Sequence, residues 1–131
     1  MKIAVCDDDW PIREELIRLI QRQVTDADIT EYQSGEELLH AGADFDIYFL
    51  DIEMDSVSGM ELARHIRERE ENSRKRRIII FVTGYREYMG EAFDVNAFHY
   101  LLKPLDEKKF TEVFARAWKE ASAFCEQEKK Y

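Results

Sequence analysis

Short, mostly apolar runs alternate along this chain with longer stretches in which apolar residues return every third or fourth position. The runs are Ile3 to Cys6, Ile29 to Tyr32, Ile47 to Leu50, Ile78 to Val82 and Phe98 to Leu102. Each has the length of a strand and is too short for a helix. Between them, Ile12, Leu16, Leu19, Ile20 and Val24, and later Leu62, Ala63 and Ile66, follow helical spacing. The final segment is the clearest helix, because Phe110, Val113, Phe114, Ala117, Ala121 and Phe124 make one apolar stripe opposite a charged face. Ser34 with Glu37, and Ser58 with Glu61, have the spacing in which a hydroxyl and a carboxylate satisfy orphan amides at a helix start, and Asp106 is placed to cap the last helix.

Strand and helix thus alternate five times, and strands apolar at consecutive positions are those buried on both faces. The pattern predicts an α/β protein with a parallel sheet covered by helices on each side. Right-handed crossovers then restrict its topology to few choices. No internal repeat, low-complexity stretch or Pro/Gly-rich linker interrupts the chain, so residues 1–125 are expected to form one domain and Glu126 to Tyr131 a polar tail or the start of a linker.

Composition narrows the function classes. At 131 residues and 45% hydrophobic content the chain can bury one real core but not two. A net charge of −9 argues against wholesale wrapping by nucleic acid, since phosphate contacts need surplus Lys and Arg. Cys6 and Cys125 lack metal-ligand or redox spacing and are expected to be buried or idle. Met1 to Cys6 does not resemble a signal peptide, and no apolar run approaches the roughly 20 residues of a membrane span. A cytoplasmic setting without membrane contact is the expectation.

The chemistry sits at strand ends. Asp7 and Asp8 follow the first strand, Asp51 the third, Thr83 the fourth and Lys103 the fifth. Parallel strands carry these ends to one edge, where open α/β sheets bind ligands. Crowded carboxylates repel unless a cation compensates, and hard oxygen ligands suit Mg²⁺, with Mn²⁺ as a substitute. A lysine ammonium and a threonine hydroxyl beside them would make a pocket for phosphoryl oxygens. The nucleophile is then a carboxylate, and Asp51 at the end of an apolar strand is best placed to attack phosphorus in line, with Asp7 and Asp8 holding the ion.

With these residues in hand, the chain resembles response-regulator receiver domains over nearly its whole length. The motifs are Ala4-Val5-Cys6-Asp7-Asp8-Asp9, Phe49-Leu50-Asp51-Ile52-Glu53-Met54, Ser58-Gly59-Met60-Glu61-Leu62, Phe81-Val82-Thr83-Gly84 and Tyr100-Leu101-Leu102-Lys103-Pro104. The wording around Asp51 and Lys103 is similar to receivers that precede LytTR-type (LytR/AlgR-like) DNA-binding domains. The resemblance implies a flavodoxin-like sheet of order 2-1-3-4-5, with Asp8, Asp51 and the backbone carbonyl of Glu53 as metal ligands and Asp7 acting mainly through metal-bound water. It implies that Asp51 accepts the phosphoryl group from a sensor histidine kinase, that Thr83 and Lys103 contact that group, and that Tyr100 turns inward on activation. Such a domain is a phosphoacceptor that assists its own phosphorylation and slow dephosphorylation, not an enzyme on other substrates. The face around the fourth helix, fifth strand and fifth helix would carry the switch to a homodimer or partner, and DNA would be reached only through a C-terminal LytTR-like output domain. In receivers the peptide before Pro104 is often cis, which aims the ammonium into the pocket. Two departures stand out. Asp55 replaces a common Pro, implying a more acidic and flexible loop, and Gly84 replaces a small gating residue, often Ala, implying a wide pocket and faster hydrolysis.

Other features carry less. Arg74-Lys75-Arg76-Arg77 is expected to form a solvated turn before the fourth strand, not a nucleic-acid patch. His40, His65 and His99 lack ligand spacing, and Trp10 and Trp118 are expected to serve packing. Two rivals remain: a receiver-like module acting only through protein contacts, and a haloacid-dehalogenase-like phosphatase using Asp7 and Asp9, which leaves Asp51 without a central task.

Overall fold

The computed structural model describes residues 1–70 and 75–129, with side chains through Cys125. Its elements are β1 (Lys2–Cys6), α1 (Trp10–Gln23), β2 (Asp28–Tyr32), α2 (Gly35–Ala41), β3 (Ile47–Leu50), α3 (Gly59–Glu70), β4 (Ile78–Thr83), α4 (Met89–Asp94), β5 (His99–Leu102) and α5 (Glu107–Lys129). The strands form one sheet of order β2-β1-β3-β4-β5, parallel at every pairing, as the resemblance implies. β3 coincides with its apolar run and the other strands differ from theirs by one residue at an end. Backbone partners and not hydropathy decide those ends, so Lys2 and Asp28 join the sheet by facing each other.

Alternation along the strands sorts the core into two layers. Ile3, Val5, Ile47, Phe49, Ile78, Ile80 and Val82 face α1 and α5, where they meet Leu16, Ile20, Phe110, Phe114 and Ala117. Ala4, Cys6, Tyr48, Leu50, Ile79 and Phe81 face the other way, toward Leu38 of α2, Leu62, Ala63 and Ile66 of α3, and Ala92 of α4. In β3 and β4, and in β1 after Lys2, consecutive residues are therefore all buried, which is why those runs read as continuous, whereas β2 and β5 at the sheet's edges are only partly covered.

Caps form as the serine spacing predicts. Ser34 Oγ accepts from the Glu37 amide at 3.1 Å and Ser58 Oγ from the Glu61 amide at 3.2 Å. Asp106 Oδ1 accepts from the Lys108 amide at 3.0 Å ahead of α5.

Three expectations are corrected or extended. Trp10 is not a packing residue: its side chain lies outside the α1 stripe and is 57% exposed, whereas Trp118 does lean on the core and on Phe114. The basic run is not simply solvated. Arg74 lies outside the described residues and Arg76 is exposed, but Lys75 is half-buried with its ammonium 2.6 Å from Asp46 Oδ1, and Arg77 reaches Asp44 at 3.6 Å. Asp46 also accepts the Lys2 amide at 2.8 Å; burial pushes its carboxyl up, but these partners outweigh that and hold it below the usual range. Finally, α5 continues through Lys129, so the tail begins as helix.

Candidate functional site

The sheet ladders run one residue past the strands and fix the acids' backbone. The Asp7 amide donates to Tyr32 O at 3.1 Å and the Asp51 amide to Cys6 O at 3.0 Å. Asp7 is 1% and Asp51 6% exposed, while Asp8 faces solvent. One carboxylate oxygen from each of Asp7, Asp8 and Asp51 lies within 4.8 Å of the others. The three acids that the sequence places at strand ends are therefore one cluster.

Lys103 reaches this cluster from the end of β5. Its ammonium is 2.9 Å from Asp7 Oδ2 and 3.1 Å from Asp51 Oδ2, the latter a directed hydrogen bond. The Lys103 amide donates to Thr83 O at 2.9 Å, and the Lys103-Pro104 peptide is cis. Burial draws the ammonium's pKa down, but the two carboxylates more than reverse this and leave it above its ordinary value. Burial also lifts the Asp7 carboxyl to about 6, against the pull of Lys103 and of the Asp9 amide, which donates to Asp7 Oδ1 at 2.8 Å.

Among the described residues, two buried oxygens, Asp51 Oδ1 and Thr83 Oγ1, have no hydrogen-bond partner, and Asp7 Oδ2 has only the Lys103 ammonium beside it. Buried polar atoms are rarely left so, because the cost is about 1–3 kcal/mol each. Clustered carboxylates beside one lysine, with a buried hydroxyl at the end of the adjacent strand β4, fit a divalent cation with an oxyanion beside it. The donor set, all hard oxygen, matches Mg²⁺.

The surroundings hold this edge in place. Gly59, at the head of α3, packs so tightly on Asp51 that a Cβ there would lie 2.0 Å from the Asp51 carbonyl oxygen. Glu53 has its carboxylate bound by the Tyr88 hydroxyl at 2.6 Å, which links the loop after β3 to the start of α4 and pushes the phenol to about 12. Tyr100 is half-buried, its ring 6.1 Å from Phe81, and its hydroxyl donates to the Tyr85 carbonyl. His40, His65 and His99 lie outside the cluster.

Sequence reasoning missed Arg13. It is only 8% exposed, with Nη1 donating to Asp7 O at 2.7 Å and Nε to Glu31 Oε1 at 2.9 Å. A charged residue beside Glu14 and Glu15 gives little local sign of burial, and only its place three residues before Leu16 of the apolar stripe separates it from the exposed Glu14.

The response regulator receiver domain family matches residues 3–115. The sensory transduction protein LytT of Oceanobacillus iheyensis is 36% identical over 110 residues, covering 82% of this chain and 44% of that protein. LytT of Enterococcus faecalis is 35% identical over 122 residues, covering 92% and 49%. The chain spans about half the length of these curated relatives. Among solved structures, the response regulatory domain of protein mrkE from Klebsiella pneumoniae aligns with TM-score 0.84 at 27% identity, over 94% of this chain and 99% of that one. Response regulator TrrA from Thermotoga maritima, in complex with Mg²⁺-BeF, aligns with TM-score 0.74 at 29% identity, over 88% and 97%.

Proposed function

The chain belongs to the response regulator receiver family, and from that premise we propose that it takes a phosphoryl group from a sensor histidine kinase onto Asp51 in a Mg²⁺-dependent reaction. The observation that carries this reading is a pair of buried carboxylates, Asp7 and Asp51, sharing the Lys103 ammonium, with Asp51 Oδ1 and the Thr83 hydroxyl left without a partner among the described residues. Asp8 and Asp51, the Glu53 carbonyl and, through water, Asp7 would hold the ion. Bound there, Mg²⁺ or Mn²⁺ supplies the positive charge that the phosphoryl oxygens require.

An Asp51 carboxylate oxygen attacks phosphorus in line; the P–N bond of the donor phosphohistidine breaks and its imidazole departs. Thr83 donates its hydroxyl to a phosphoryl oxygen. Lys103 exchanges its bond to Asp51 for one to the phosphoryl group. These charge-assisted bonds favour a rearranged loop after β4, and Tyr100, once its hydroxyl leaves the Tyr85 carbonyl, turns inward.

Readout follows on the α4-β5-α5 face. Met89 is 44% and Phe93 83% exposed on α4, which supports a homodimer through that surface. Residues 1–125 act as the receiver and 126–131 lead toward a LytTR-like output domain, the only part to contact DNA; the double length of the LytT relatives supports this. The setting is cytoplasmic, and no helix among the described residues is long and apolar enough to cross a membrane. Receiver domains are regulatory, and this one contributes catalytic groups only to its own phosphorylation and slow dephosphorylation. Family membership gives Asp51 a central task, which the dehalogenase-like phosphatase reading does not.

The test is intact mass after incubation with acetyl phosphate, with and without Mg²⁺, on the native chain and on Asp51→Asn. One Mg²⁺-dependent phosphoryl adduct absent from Asp51→Asn is expected. No adduct under any condition would favour the interaction-only module, and an adduct persisting in Asp51→Asn would move the nucleophile to Asp7.

A further inference from the structure

We propose that Arg13 is a positioning residue for the divalent-cation site: its buried guanidinium fixes the backbone of the acidic loop Asp7-Asp8-Asp9 and thereby places the Asp8 carboxylate. The inference rests on the reading that Asp7, Asp8 and Asp51 hold Mg²⁺.

A guanidinium leaves water at high cost unless its donors are satisfied. Here Nη1 donates to the Asp7 carbonyl at 2.7 Å, a fully buried contact, and Nε to Glu31 Oε1 at 2.9 Å. The side chain is 10% exposed against 47% for Glu31, so the fork is anchored at the rim and works inside. Glu31 stands opposite Val5 in the β1-β2 register, and the fork therefore ties the residue beyond β1 to the outer strand.

The Asp7 carbonyl and the Asp8 amide share one rigid peptide plane. Holding that carbonyl sets the direction in which the chain enters Asp8. The same loop is pinned from its other end, where Asp9 O accepts the amides of Ile12 and Arg13 and the Asp9 amide binds Asp7 Oδ1. Asp8 itself faces solvent, so its position is inherited from this backbone. Lysine in place of Arg13 would keep the charge and lose the two-pronged geometry.

Mg²⁺ affinity of the whole chain is measured by titration calorimetry for the native protein, Arg13→Met, Arg13→Lys and Glu31→Ala, together with thermal midpoints without the ion. Both Arg13 variants are expected to bind Mg²⁺ about tenfold more weakly, as loss of an outer-shell partner does elsewhere, and Glu31→Ala to shift the same way by less. Phosphorylation by acetyl phosphate in Arg13→Lys should then need more Mg²⁺ for half-maximal rate but reach the native rate at saturation. A purely structural role would lower the thermal midpoint and leave Mg²⁺ affinity alone, and native affinity in a folded Arg13→Lys overturns the proposal. Should Arg13→Met fail to fold, Arg13→Lys and Glu31→Ala decide it. A native chain that binds no Mg²⁺ defeats the metal reading itself, an outcome distinct from equal binding by native and variant.

Discussion

The Lys103 ammonium stands 3.1 Å from Asp51 Oδ2, so a side chain from the edge strand β5 neutralises the acid at the end of the central strand β3. The same ammonium lies 2.9 Å from Asp7 Oδ2, and so one cation is shared between two buried acids. Lys103→Met removes both contacts and the positive charge beside the phosphoryl site. Phosphorylation of Asp51 by acetyl phosphate should slow by about 100-fold, the scale of losing one preorganised donor. Mg²⁺ should bind at least as tightly, because the ammonium no longer competes for the carboxylates. Mass spectrometry gives the rate and calorimetry the affinity; an unchanged rate would remove Lys103 from the chemistry.

The acid cluster makes stability depend on pH in a definite direction. Burial carries the Asp7 carboxyl from 3.8 to about 6 in the folded chain. A folded value above the unfolded one means that the native state holds this proton more tightly. The stabilisation is complete below the unfolded value and is lost as pH rises through about 6. In EDTA, the free energy of unfolding should therefore fall between pH 4 and pH 7 by an amount on the order of 2 kcal/mol that is absent from Asp7→Asn. Added Mg²⁺ should recover stability at pH 7.5 far more than at pH 4.5. Parallel pH curves for the two proteins would contradict the assignment.

Gly59 and Gly84 should respond oppositely to a methyl group. Gly59→Ala puts a Cβ 2.0 Å from the Asp51 carbonyl oxygen, so the backbone of the acceptor must move, at about 1–3 kcal/mol. At Gly84 a Cβ meets no heavy atom within 4 Å. Gly84→Ala should keep the native thermal midpoint within about 2 °C while narrowing the approach to Asp51 and slowing loss of the phosphoryl group. Thermal melts and a dephosphorylation time course separate the effects; an unchanged time course in Gly84→Ala would dismiss the gating role.

The two thiols should differ in reactivity. Burial, reinforced by the charges of Asp7, Glu37 and Asp51, pushes the Cys6 thiol to about 12, and its side chain is enclosed. Cys125 is half-buried on α5. A thiolate-selective reagent at pH 8 should modify Cys125 in the native protein and reach Cys6 only as fast as the chain unfolds. Equal native rates would show that the end of β1 is open.

Most of this architecture was legible in the sequence because burial on both faces of a parallel sheet leaves unbroken apolar runs, and Ile47 to Leu50 needed no correction. The cluster was legible for a related reason: Asp7, Asp51, Thr83 and Lys103 each follow or end such a run. Arg13 was not, since its partners Asp7 and Glu31 lie on two strands and the residue sits among charged neighbours. Asp46 and Lys75 escaped likewise, as an ion pair between chain segments has no periodicity. Trp10 was misread because helical spacing alone does not separate it from the stripe. It is the first residue of α1, where the helix face begins without a preceding turn to cover it, and it is 57% exposed.

The strand order β2-β1-β3-β4-β5 has a consequence for how the chain is made. β1 leaves the ribosome first and is an interior strand. β2 and β3 then dock on its two edges, β4 on β3 and β5 on β4, so every strand meets a completed neighbour when it emerges. No strand must wait for a later one to find its place, and vectorial synthesis can assemble the sheet as the polypeptide lengthens. The last strand delivered, β5, brings Lys103 with it, and the acid cluster acquires its counter-charge only when the sheet is complete.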